Sequence, residues 1–133
     1  MVLDTSALLA ILLGEAEAED FSRAIAGDPK RLVSAFSALE ASVILHARKG
    51  PAAVRELDLL LHTISATIVS FDAEQALLAR TAYETYGKGH HPAALNLGDC
   101  CSYALSRSSG EPLLFKGNDF SKTDAALVAA GAA

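Results

Sequence analysis

Val2-Leu3-Asp4-Thr5-Ser6 runs two apolar residues into a carboxylate, and the apolar run Ala7-Leu8-Leu9-Ala10-Ile11-Leu12-Leu13 follows at once. A strand this short is stable only inside a sheet, and the run after it is apolar all round, as in a buried helix. Asp4 then stands at the C-terminal end of the strand, where open parallel sheets place their ligands. The plainer role for the same residue is the N-cap of the following helix. The choice between them turns on how many more acids arrive in comparable settings.

Outward from this stretch the pattern repeats. β-prone segments fall at 31–34, 67–71 and 112–115, and helical ones at 15–26, 34–49, 52–64, 73–86 and 97–108. Gly14, Gly27-Asp28-Pro29 and Gly50-Pro51 punctuate them. Asp72 is expected to cap its helix with Gln75 completing a capping box, and Asn96 to cap the next. Phe36, Leu39, Val43, Ile44 and Ala47 form an apolar stripe read as the inward face of 34–49, with Glu40 inside it. Leu77, Leu78 and Thr81 are read as the inward face of 73–86, and Thr123 as the cap of a short last helix over 124–130. Strand, two helices, strand, two helices, strand, two helices, strand predicts a three-layer α/β fold. Its centre is a parallel sheet of four to five strands with helices on both faces.

Composition narrows the class. At 133 residues the chain, 1–133, is expected to be a single domain. Apolar residues at 51% and charged ones at 20% argue for a packed core and against disorder. No apolar run approaches the roughly 20 residues of a membrane span, and no basic segment leads the first one as in a signal peptide. Cys100 and Cys101 are adjacent, poorly placed for a mutual disulfide, and read as small apolar helix residues in a reducing, cytoplasmic setting. A net charge of −5 argues against nucleic acid unless the acids hold metal.

Four acids share a setting. Asp4 and Asp119 follow the ends of the first and last strands, Glu40 lies on a helix after the second, and Asp99 opens the helix that feeds the last. Capping or turn roles explain each acid singly but not the coincidence. They do least for Glu40, which has no arginine or lysine three or four residues away. Two unit charges about 4 Å apart repel by about 4 kcal/mol at an effective dielectric of about 20. Clustered carboxylates therefore share protons or bind a cation, and all-oxygen donors suit Mg²⁺ or Mn²⁺. No serine-hydrolase elbow, phosphate loop or zinc-protease motif competes, and His90-His91 reads as a solvated loop.

Two longer stretches are more specific: Tyr86-Gly87-Lys88-Gly89-His90-His91-Pro92-Ala93-Ala94-Leu95-Asn96-Leu97-Gly98-Asp99-Cys100 with Tyr103-Ala104-Leu105, and Pro112-Leu113-Leu114-Phe115-Lys116-Gly117-Asn118-Asp119-Phe120 with Thr123-Asp124. With the opening motif and Leu39-Glu40, they resemble PIN-domain endoribonucleases, and within them the VapC toxins of bacterial toxin–antitoxin pairs. The resemblance implies that Asp4, Glu40, Asp99 and Asp119 are the catalytic, metal-binding acids, with Ser6, Asn118 and Asp124 as supporting polar groups. It implies Mg²⁺- or Mn²⁺-dependent cleavage of RNA, with Lys88, His90 and Lys116 offered to the substrate. It also implies a homodimer and inhibition by a cognate VapB-type antitoxin. Of the two C-terminal aspartates, Asp119 is expected nearer the acids, because Asp124 already suits a helix start.

The rival readings are a receiver-like phosphoacceptor domain and a non-catalytic acidic binding module. A receiver wants its acceptor aspartate after a middle strand, where Ser70-Phe71-Asp72 offers only a helix cap. A haloacid-dehalogenase-type phosphatase wants a second aspartate where Ser6 stands.

Overall fold

The computed structural model describes residues 1–129. The elements run β1 (Val2–Leu3), α1 (Thr5–Leu12), α2 (Ala18–Ala26), β2 (Leu32–Ser34), α3 (Ala35–Lys49), α4 (Pro51–Thr63), β3 (Thr67–Val69), α5 (Ala73–Tyr86), α6 (Leu97–Ser109) and β4 (Leu113–Leu114), then a single 3₁₀ turn, Phe120–Lys122. The four strands form one parallel sheet in the order β3-β2-β1-β4. Alternation along each strand divides the core. Leu3, Val33 and Leu114 pack with α1 to α4 on one face, while Val2, Leu32 and Leu113 pack with α5 and α6 on the other. The expected three-layer architecture is the one found.

Three expectations fail on detail. The stripe on α3 does not face inward: Leu39 is 63% exposed and Val43 59% exposed, and the buried face is Ser37, Ala41 and Leu45. A serine can be buried there because Ser102 supplies a hydrogen-bond partner across the sheet, which local periodicity does not reveal. On α5, Leu77 and Thr81 face out, Leu78 is half-buried, and Gln75, Ala79 and Ala82 are buried. The Asp72 cap forms on the Gln75 amide, but the Gln75 side chain donates to the Ser70 carbonyl instead of closing the box.

The last helix is also absent as far as the described residues go. Leu127 instead pairs parallel with Leu113, through Leu113 N–H to the Ala126 carbonyl and Val128 N–H to the Leu113 carbonyl, both 2.8 Å. The open edge of β4 offered backbone donors and acceptors that needed partners, and this outweighed the helix propensity of an alanine-rich tail. Thr123 caps a turn, accepting from Ala125 N–H. The predicted end of that helix, Ala130, lies outside the described residues.

Arg31 supplies donors to two helix ends that the sequence places at 26 and 64. Its guanidinium donates to the Ile25 carbonyl from Nε (3.0 Å) and Nη2 (2.7 Å), and to the Ile64 carbonyl from Nη1 (2.9 Å). These are acceptors at the C-terminal ends of α2 and α4, where a cation is also favoured by the helix dipole. Arg31→Met keeps the stem but takes the guanidinium from both carbonyls, leaving Ile25 with the Asp28 N–H at 3.2 Å. We expect it to destabilise the domain by about 1–3 kcal/mol in urea unfolding; an unchanged midpoint would show that water replaces the guanidinium at no cost.

Candidate metal centre

Asp4 lies at the C-terminal end of β1 and is 4% exposed. It is also the N-cap of α1, so the cap and the site are one residue. Its Oδ2 accepts from Ser6 N–H (3.0 Å) and Ser6 Oγ–H (2.7 Å), and its Oδ1 from Ser102 Oγ–H (2.5 Å). Ser102 gives its only hydrogen to Asp4, so Ser37 is the donor in the 3.3 Å Ser37–Ser102 contact. Ser6 Oγ in turn accepts from Lys116 N–H at 2.9 Å, just past β4.

Glu40 is half-buried on the flank of α3, with no hydrogen-bond or ion-pair partner among the described residues. Its carboxylate lies against Gly98 in the first turn of α6: a Cβ placed on Gly98 would fall 2.6 Å from Oε1 and 2.7 Å from Oε2. The neighbouring Asp99 closes a capping box, accepting from Asn96 N–H at 3.0 Å through Oδ2 while Asn96 Oδ1 accepts from Asp99 N–H at 2.9 Å. Burial pushes the Asp99 carboxyl up from its usual 3.8 to about 6; the Asn96 backbone bond opposes this, and Asp4, Asp119 and Glu40 add to it. The other three acids thus act on Asp99 at short enough range to shift its titration. Asp119 is exposed, and its side chain has no partner among the described residues.

Asp124 is occupied elsewhere. It accepts from the Tyr103 hydroxyl, with Arg107 at 3.6 Å, and the Tyr103 bond leads in holding its carboxyl below the usual range. Asn118 is exposed, its carbonyl accepting from Ser121 Oγ–H. The three basic candidates do not join the acids. The Lys116 ammonium pairs with Glu15 and, at 3.7 Å, with Glu17. Lys88 and His90 are exposed on the loop after α5, where the His90 ring meets Tyr83 edge-on at 5.2 Å.

A family model for the PIN domain matches residues 1–126. The chain belongs to the PIN-domain family. Within it, 54% of residues are identical to ribonuclease VapC30 of Mycobacterium tuberculosis, over 97% of this chain and 98% of that one. Identity is also 54% to a ribonuclease VapC of Mycolicibacterium smegmatis, over 96% of this chain and 99% of the relative. These matches place it in the VapC branch of the PIN family. Two solved structures share the fold. Mycobacterium tuberculosis VapC20, described as a sarcin–ricin loop cleaving toxin, superposes with a TM-score of 0.78 at 19% identity, covering 96% of this chain and 97% of the other. A toxin–antitoxin complex from Klebsiella pneumoniae gives 0.72 at 18%, covering 96% and 95%.

The donors at this PIN site fit a hard cation: all are carboxylate oxygens, and Glu40 and Asp119 have no other partner among the described residues. Among the described residues no three acidic side chains already close on one point, and Asp99 Oδ2 is turned back to its own cap. A receiver-type centre finds no support in a PIN fold where Asp72 is exposed after the edge strand and tied to Gln75. Cys100 and Cys101 are buried, free thiols, pushed up by burial to about 11 and about 12, so neither is a nucleophile at neutral pH.

Sequence reading missed Ser37, Ser102 and Gly98. The available signals were a serine three residues after Asp99 in a buried helix and a glycine in a helix's first turn.

The raised Asp99 carboxyl gives a pH prediction with a definite sign. Between about 4 and about 6 the folded state holds a proton that the unfolded state has lost, so this group's contribution to stability falls as pH rises through that window. In chelator, Asp99→Asn should melt increasingly above wild type as pH is raised across it, as followed by circular dichroism. A gap independent of pH would remove Asp99 as the titrating group.

Proposed function

We propose that the chain is the toxin of a toxin–antitoxin pair, an endoribonuclease that cleaves RNA phosphodiester bonds with Mg²⁺ or Mn²⁺. The observation that carries this reading is 54% identity, over nearly the whole chain, to proteins named ribonuclease VapC; the Glu40 carboxylate set against the first turn of the helix that bears Asp99 agrees with it. In the reading, Asp4, Glu40, Asp99 and Asp119 hold the cation. When bound, the ion supplies Lewis acidity toward a phosphate and lowers the pKa of water. Ser6 and Ser102 orient Asp4 through its two oxygens. Lys88 and His90, exposed beyond the site, are the groups offered to the RNA backbone.

Partners follow from the same surface. Leu39, Val43, Leu77 and Leu97 are each more than half exposed. A groove of about 600 Å³ lined by Phe36, Phe71, Tyr83 and Leu97 adds apolar area. Such area suits both a second copy of the chain and the apolar residues of an antitoxin, whose arginine or lysine would approach the acids. Among the described residues no helix is long and apolar enough to cross a membrane.

Two measurements test the reading. Millimolar Mn²⁺ should raise the melting temperature at neutral pH, and the shift should shrink as pH falls through about 6, where Asp99 takes up its proton. A shift that is absent at neutral pH, or equal on both sides of that value, counts against ligation by these acids. RNA cleavage separates the aspartates. Losing an outer group typically costs about 10–100-fold, so Asp124→Asn should fall within that range and Asp119→Asn should lose more. The reverse order would move Asp124 into contact with the metal.

A further inference from the structure

Gly98 stands at the second position of α6 with no left-handed backbone angle to explain it. Glycine is the poorest helix former after proline, and alanine would serve the helix better there. The closest obstruction to a Cβ comes from across the site. The three nearest atoms to an added Cβ all belong to Glu40: Oε1 at 2.6 Å, Oε2 at 2.7 Å and Cδ at 2.9 Å. Gly87 is different, because a Cβ there would strike the Tyr83 backbone carbonyl at 2.3 Å. At Gly98 the obstacle is the far end of a flexible side chain, so the fold can accept a methyl by letting Glu40 move.

We propose that Gly98 is a positioning residue whose bare Cα seats the Glu40 carboxylate at the positive end of α6, beside Asp99. No hydrogen bond or ion pair among the described residues holds Glu40. Contact with this glycine and the field of the helix N-terminus are what remain to fix it. The inference rests on the reading of Glu40 as a metal-holding acid.

The test compares wild type, Gly98→Ala, Glu40→Gln and the double variant by Mn²⁺ calorimetry, and by melting in chelator. Gly98→Ala should melt at or above wild type without metal, yet bind Mn²⁺ about tenfold or more weakly. Adding Gly98→Ala to Glu40→Gln should weaken Mn²⁺ binding no further, since the acid it displaces is already disabled. Equal Mn²⁺ affinity in wild type and Gly98→Ala overturns the proposal alone. An equal loss in both backgrounds also overturns it, because the effect would then not run through Glu40. If wild type binds no Mn²⁺, the metal reading fails and takes the proposal with it. Should Gly98→Ala fold poorly, Glu40→Ala decides: with the acid gone the three nearest obstructing atoms are gone too, so Gly98→Ala/Glu40→Ala should melt above Glu40→Ala. A double variant that melts below it overturns the seat.

Discussion

A carboxylate buried at the end of the central strand is the constraint from which the arrangement follows. Burial of Asp4 is tolerable only if both oxygens are hydrogen-bonded; Ser6 of its own helix serves one oxygen and Ser102 of α6 the other, and each leads on to an element that carries another acid. Ser102 ties in α6, which bears Asp99. Ser37, behind Ser102, ties in α3, which bears Glu40. Ser6 takes the Lys116 amide and so fixes the exit of β4, which leads to Asp119. One network therefore satisfies a buried charge and sets the spacing of three further acids. Removing Ser102 would strip a donor from Asp4 and uncouple two helices at once.

This network explains what could be read from the chain and what could not. Several strands, caps and breaks depend on neighbours in sequence, so Val2-Leu3, the Asn96 cap and the Gly50-Pro51 break were legible. Facing was not. The α3 stripe from Phe36 to Ala47 is apolar but looks outward, because Ser37 and Ala41 are the residues small enough and well enough partnered to meet the sheet and α6. Ser37 and Ser102 are 65 residues apart in sequence, and no local pattern announces their pairing. The tail after Thr123 failed for a similar reason: its structure is set by the open edge at Leu113.

Capping is compatible with the proposed metal-holding role of the same aspartates. Asp4 caps α1 and Asp99 closes the box on α6, and a carboxylate that accepts from backbone or hydroxyl donors keeps lone pairs for a cation. A cap at a helix start is rigid and sits where the dipole favours negative charge, which suits a residue that must keep its place among like charges. Asp124 is held differently: its oxygens face the Tyr103 hydroxyl and the Arg107 guanidinium.

Lys116 carries the last step. It is the cation placed by sequence nearest the site, and its own amide touches Ser6. Had its ammonium turned inward, the acids would have been neutralised from within the chain. It turns instead to Glu15 and Glu17, in the loop between α1 and α2. Those two acids tether the lysine outside the cluster and leave the cluster's charge uncompensated. A net charge of −5 deepens that potential. On the proposed reading, the compensating charge comes from outside the chain. A divalent ion and the basic side chain of an inhibitor are then alternative occupants of one unmet electrostatic demand, and on the proposed reading their competition is how an antitoxin silences the site.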